Sequence, residues 1–296
     1  MLLLSGLLAF LTLSQEGFVL RPAQRYRIWV SGYTSETVHR YEVDTGLQVG
    51  TLGAIPGAQS IRQGPDGMLY VVSEEEHEVH RYDPDGTFLG VFVGDDPATP
   101  EDEAGGLRKP TAAAFGPDGN LYVNSFTKNN VLKFDGKTGA FIDIFIDVTE
   151  GNLNGPDAGM KFGPDGKLYV PNFNNDRVLH FDGETGEPLG VFASTGLQNP
   201  RDIVFHENSV FVSSWGNDRI IRYDLEGNFV SIFATTSRPS GIAFSPFDGD
   251  LYTTTDNKNH VKKFDGRTGE ALGKVVQNDE GGLTGGTYLT FVREDA

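Results

Sequence analysis

The sequence predicts an all-β fold, a six-bladed β-propeller with four-stranded antiparallel blades whose ring is closed by a C-terminal strand joining the N-terminal blade. Three observations predict it. An apolar marker recurs at Ile28, Leu69, Leu121, Leu168, Val210 and Leu251, at spacings of 41, 52, 47, 42 and 41 residues. Ten positions after each marker stands a β-branched residue, and three further on an aromatic followed by an acid: Tyr41-Glu42, Tyr82-Asp83, Phe134-Asp135, Phe181-Asp182, Tyr223-Asp224 and Phe264-Asp265. The chain ends carry complementary parts of one unit. A period of about 40 residues with four strands per unit marks a propeller, whose blades bury their faces only against one another.

Taken in order, residues Met1 to Leu13 are nearly continuously apolar and are followed by Ser14-Gln15-Glu16-Gly17. Such a run is short of the roughly 20 residues a membrane helix needs and suits the apolar region of a secretory signal. Residues 1–17 are therefore read as a signal or anchor segment. Residues 18–296 are read as a single propeller domain, secreted or otherwise extracytoplasmic. An uncleaved lipid anchor and a buried N-terminal strand are the other readings of the segment.

Residues 27–53 supply three strands, Arg27 to Val30, Val38 to Tyr41 and Leu47 to Leu52, and lack an innermost one. The segment Thr287 to Phe291 matches the first strand of the other units and supplies it, so 287–292 completes blade one and removes the open edges. The full blades span about 54–93, 107–146, 156–192, 198–233 and 238–276. The most regular is Pro110 to Phe145. Its strands Ala112–Phe115, Leu121–Val123, Val131–Phe134 and Ala140–Phe145 are separated by the Gly116-Pro117-Asp118-Gly119 turn and by Gly- and Asp-rich breaks. Three connections exceed what the repeat needs: Gly94 to Gly106, Asp147 to Gly155 and Gln277 to Gly286. All join an outer strand to the next inner one, which collects the extra length on a single face, where function tends to sit.

With 41 acids against 24 Lys and Arg, the net charge of −17 excludes nucleic acid and anionic membrane as expected partners. The absence of Cys excludes disulfides, thiolate metal sites and a Cys nucleophile. The six His form no ligand-spaced pair, and the recurring Asp-Gly turns are explained by turn chemistry, so no metal site and no cofactor are expected. The central channel is the one place left for a divalent ion. A monomer is expected.

Five positions after each marker stand Tyr33, Glu74, Phe126, Phe173, Trp215 and Asp256. If these ring the channel mouth, they form an aromatic arc with an acidic sector, suited to a sugar, an aromatic ring or a quaternary amine. Aromatics at a repeated offset also serve as wedges between blades. On the inner strands, a position that is small or apolar in four blades carries Arg62 and Lys161 in the other two, while Asp202 and Tyr288 replace small residues nearby and Arg201 adjoins them. A charge at a packed position needs a partner or a polar cavity. Arg62, Lys161, Asp202 and Tyr288 are thus candidate catalytic groups, with Arg201 as a ligand-binding candidate and Glu74 or Asp256 as a possible base; internal ion pairing, as between Arg201 and Asp157, accounts for them equally well.

Segments such as RPSGIAFSPFDGDLY, GPDGNLYV and SWGNDRIIRYDLEGNFVSIF resemble NHL-repeat six-bladed propellers across residues 27–292, most closely at Trp215 to Ile220. The resemblance implies a scaffold shared by binding modules and a few enzymes. Gluconolactonase-like members hold a divalent metal, and their Pro-Asn-Gly segment is similar to Pro239-Ser240-Gly241, with Ser in place of the ligand Asn. Streptogramin-type lyases use a His at an inner-strand offset that here carries Gln59, Thr111, Ala158, Arg201, Ser240 and Thr287. Amidoglycolate lyases need several channel His. With all three patterns broken, the expected function is binding of a small molecule, glycan or protein partner at the loop-rich face, and the alternative is a lyase or lactonase-type hydrolase acting in the channel.

Overall fold

The computed structural model describes residues 25–94, 104–149 and 151–294. The expected signal or anchor segment and most of the connection from Gly94 to Gly106 lie outside the described residues. Blade one contributes β1 (Arg25–Gly32), β2 (Thr37–Glu42) and β3 (Gln48–Thr51), and blade two β4 (Ala58–Gln63), β5 (Leu69–Ser73), β6 (Glu78–Tyr82) and β7 (Phe88–Val93). Blade three is β8 (Ala113–Phe115), β9 (Leu121–Ser125), β10 (Asn130–Phe134) and β11 (Phe141–Ile146). Blade four is β12 (Lys161–Phe162), β13 (Leu168–Asn172), β14 (Arg177–Phe181) and β15 (Pro188–Ala193). Blade five is β16 (Pro200–His206), β17 (Ser209–Ser214), β18 (Arg219–Tyr223) and β19 (Phe229–Thr235). Blade six is β20 (Pro239–Phe244), β21 (Leu251–Thr255), β22 (His260–Phe264) and β23 (Ala271–Val276), after which β24 (Gly286–Glu294) pairs antiparallel with β1 and completes blade one.

The repeated turn shows how local sequence sets the blade. In blade three the Asp118 carboxylate accepts the Asn120 backbone N–H at 3.1 Å and the Tyr122 hydroxyl at 3.0 Å, locking turn and second strand together. Asp66, Asp165 and Asp248 hold Tyr70, Tyr169 and Tyr252 in the same way. A side chain at Gly116 would meet the Tyr122 ring at 2.5 Å, so that position must be bare. Each of these rings, with Phe211 in blade five, then meets edge-on the last aromatic of the next inner strand: Tyr70 with Phe115, Tyr122 with Phe162, Tyr169 with Phe205, Phe211 with Phe244 and Tyr252 with Phe291, at 4.8–5.0 Å. The core therefore lies between blades.

Nearer the axis, hydrogen bonds pass from blade to blade around the whole ring. Ser60 N donates to Thr111 O, Thr111 Oγ1 to Pro156 O, and Gly159 N to Arg201 O, at 3.3, 3.0 and 2.8 Å. Ser213 Oγ donates to Ser240 O, Ser240 Oγ to Thr287 O, and Thr287 Oγ1 to Ala58 O, at 2.6, 2.7 and 2.9 Å. All six interfaces are crossed, and the last two tie the C-terminal strand to blades six and two. Replacing Thr287 by Val deletes the closing donor while keeping the shape. We expect a loss of about 1–2 kcal/mol, read as a lower urea midpoint at unchanged slope.

His39, on β2, is buried. The Gln48 amide N–H, which also donates to Gly281 O, donates to its Nδ1 at 2.8 Å, so the ring proton sits on Nε2 and is donated to Ser35 Oγ. Burial lowers this imidazole to about 4 against an opposing backbone contact at Gly281. Because the folded value lies below the unfolded one of about 6.5, this group's contribution is complete above 6.5 and declines as pH falls toward 4. Proton NMR of the ring should give a midpoint near pH 4; an ordinary midpoint would disprove the wiring.

Candidate functional site

Three of the inner strands, β4, β16 and β20, carry a β-bulge near their start, between Ala58 and Ile61, Pro200 and Ile203, and Pro239 and Ile242. A bulge inserts a residue and re-aims the side chains around it. Here it turns Gln59 and Arg201 toward the axis at one face, where they meet the loops between second and third strands in an open cavity of about 270 Å³. The connection ending at Gly285 lies on the same face, hydrogen-bonded to Tyr33 N at 2.8 Å.

All seven residues expected to bind ligand, Tyr33, Glu74, Phe126, Phe173, Arg201, Trp215 and Asp256, stand on the wall of this cavity. Phe126, Phe173 and Trp215 form a continuous arc, with ring centroids 6.4 and 5.9 Å apart and tilted planes. They are half-buried, with their rings on the cavity wall. Trp215 Nε1 donates to Asp256 Oδ2 at 2.9 Å, and the Arg238 guanidinium lies 4.6 Å from the centre of the Trp215 ring. Tyr33 donates to Glu75, which is also paired with Lys109; burial, then Glu75, push the phenol up.

The floor is charged. Arg201, 13% exposed, pairs with Asp157 at 3.2 Å and more distantly with Asp256 at 3.9 Å. Burial pulls the Arg201 guanidinium down, and the surrounding carboxylates of Asp157, Asp256 and Glu74 reverse this and hold it above its ordinary value. Asp157 is raised by burial despite Arg201. Glu74 is likewise raised by burial, opposed by the Gln59 amide, which donates to it at 2.6 Å. The Gln59 Oε1 oxygen, turned the other way, is buried with no hydrogen-bond partner among the described residues. Three carboxylates thus face one guanidinium in a cavity rich in acceptors. With Arg201 among them, these carboxylates do not fit a divalent ion, whose charge it would oppose.

Gln59, Thr111, Asp157 and Thr287 also line the cavity, although the repeat offsets did not single them out as binding residues. The available signal was the inner-strand offset at which lyases carry His, since Gln59, Thr111, Arg201 and Thr287 all occupy it. The four catalytic candidates are elsewhere. None of Arg62, Lys161, Asp202 and Tyr288 lines the cavity: Asp202 and Tyr288 are buried in the layer of Ser60 and Gly159, and Arg62 and Lys161 lie two residues further along their strands. Lys161 pairs with Asp202 at 3.3 Å and Arg62 stacks on Tyr288 at 4.5 Å. The expected pairing of Arg201 with Asp157 is present, and Asp202 has Lys161 as its ion-pair partner. Glu76, Glu78 and His80 gather on blade two, with His80 Nε2 3.2 and 2.9 Å from the two carboxylates and away from the cavity.

No protein-family model matches the chain, and no curated protein matches it by sequence. Solved structures do. A propeller in a nidogen/laminin complex matches 90% of this chain and 98% of its own at 15% identity, with a TM-score of 0.72. A protein of unknown function from Bacteroides caccae matches 91% and 100% at 16% identity, with a TM-score of 0.67. A catalytically inactive virginiamycin B lyase from Staphylococcus aureus, solved with quinupristin, matches 86% and 79% at 17% identity, with a TM-score of 0.56. At these identities the likeness is one of fold, and it agrees with the six four-stranded sheets: the chain is a six-bladed β-propeller.

Proposed function

We propose that this protein is an exported propeller of NHL type that acts as a monomeric binding protein. Its upper cavity takes a small ring compound bearing a positively charged nitrogen, such as an aromatic amine, a quaternary amine or an amino sugar. One observation carries the reading: an arc of three aromatic rings shares a wall with Glu74, Asp157 and Asp256, where Arg201 is the one cation lining the cavity and Arg238 covers one face of Trp215. Ring faces attract both cations and flat ligands. The unpartnered Gln59 Oε1 adds an acceptor suited to a ligand N–H or O–H. The volume is near the lower end of small-molecule sites, roughly 300–1,000 Å³, so the ligand is compact. Export rests on the apolar run Met1 to Leu13, and the NHL reading on the Trp215 to Ile220 run.

A lyase or lactonase working through Arg62, Lys161, Asp202 and Tyr288 is less well supported, because the cavity floor separates those groups from a ligand lying on the arc. Calorimetry with a panel of aromatic amines, quaternary amines, amino sugars and their neutral counterparts tests the proposal. We expect the cationic members to bind at least about tenfold more tightly, and Trp215→Ala and Glu74→Gln each to weaken them at least about tenfold. Affinity should fall on acidification, starting above the usual glutamate range, because burial holds the Glu74 carboxyl high. Equal binding of neutral rings, or indifference to Trp215→Ala, would sink the reading; turnover of a bound compound would favour the enzyme.

A further inference from the structure

Past the ring of hydrogen bonds along the inner strands, a second set of side chains becomes partly exposed, and we refer to the space they surround as the lower recess. Six residues in one register with an aromatic of the second strand surround it: Arg62, Ala114, Lys161, Val204, Ala243 and Thr290. All but Ala114 are partly exposed, whereas Ser60, Ala112, Gly159, Asp202 and Gly241 in the layer above are buried. These side chains therefore reach solvent past a buried layer and do not share the wall of the upper cavity.

Its charge is unusual for so acidic a chain. The Arg62 guanidinium has no carboxylate within ion-pair distance among the described residues. Its nitrogens donate to Ala113 O at 3.1 Å and Met160 O at 3.3 Å while its plane lies against Tyr288. The Met160 contact brings it beside the adjacent Lys161, whose ammonium is 20% exposed. The one carboxylate nearby, Asp202, already accepts Ile203 N at 2.8 Å and Ile242 N at 2.9 Å besides Lys161. Two cations thus share one largely committed carboxylate, in a cup whose other walls are small side chains. Burial, with Arg62 adding to it against Asp202, lowers the Lys161 ammonium to about 8, as expected of a cation short of compensating negative charge.

We propose that this recess binds a small oxyanion, a carboxylate, phosphate or sulfate group, between the Arg62 guanidinium and the Lys161 ammonium. The planar guanidinium offers paired donors to two oxygens, the ammonium a mobile point charge, and the Thr290 position a hydroxyl. An anion here supplies the missing negative charge and ties blade two to blade four.

The test titrates the full protein with acetate, inorganic phosphate and sulfate at matched ionic strength over a chloride background, by calorimetry and thermal melting. At least one oxyanion should bind and raise the melting midpoint where chloride does not, and the arm that responds identifies the class. Lys161→Met, which keeps the length and loses the charge, and Arg62→Lys, which keeps the charge and loses the fork, should each weaken it at least about tenfold. Trp215→Ala, in the separate upper cavity, should leave it unchanged. In the wild-type protein, methyl-labelled Lys161 followed by NMR should titrate at higher pH once the oxyanion is bound, a readout that does not depend on the variants folding. Equal responses to chloride and all three oxyanions, an unaltered Lys161 titration, or undiminished binding in folded Lys161→Met would overturn the proposal.

Discussion

The structure depends on the closed circuit of hydrogen bonds that runs from Ser60 through Thr111, Gly159, Ser213 and Ser240 to Thr287 and back to Ala58. A blade is a small sheet that cannot bury its own faces, and stacked aromatics fill the space between blades without fixing the angle between them. Directional bonds, four from Ser and Thr side chains and two from the backbone, fix that angle close to the axis, where a small rotation matters most. The circuit is complete only because the C-terminal strand lies beside β1, so closure of the ring and closure of the belt are one event.

The belt also separates the residues of the upper cavity from those further along the inner strands. Its donors and acceptors are spent on one another, the glycines on it let backbones approach closely, and a side chain at Gly159 would strike Asp202 within 2.6 Å. What remains are two recesses of opposite character. The upper one is acidic and aromatic, built from loops and from side chains turned inward by bulges. The lower one is basic and lined by strand positions that are small in the other blades. A chain of net charge −17 keeps its two poorly compensated channel cations together and apart from its acidic cavity.

Ion pairing on the two sides follows the same logic. Arg201 is held by Asp157 and Asp256 and is thereby committed to the upper floor, while Asp202, its chain neighbour, points to the other side and meets Lys161. The bulge between Pro200 and Ile203 lies at both residues, and their side chains meet different partners, Asp157 and Lys161.

Much of this is legible in the sequence because repetition converts spacing into position. Six copies of one pattern fix the blade count, the closing strand and the second-to-third-strand loops, and with them the six loop residues from Tyr33 to Asp256 that share the cavity wall with Arg201 of β16. Strand geometry is local, so the offset decides which loop a residue occupies. What spacing does not carry is depth along the axis and the direction of a side chain after a bulge. For that reason Arg62, Lys161, Asp202 and Tyr288 read as one constellation with Arg201, although Asp202 and Tyr288 lie buried at the belt and only Arg201 reaches the cavity, and spacing does not assign Gln59 and Asp157 to the cavity. The sequence by itself determined the fold and the face; tertiary packing, through the bulges and the belt, decided which charges meet, because those contacts join residues about 40 or more positions apart whose pairing depends on blade angle.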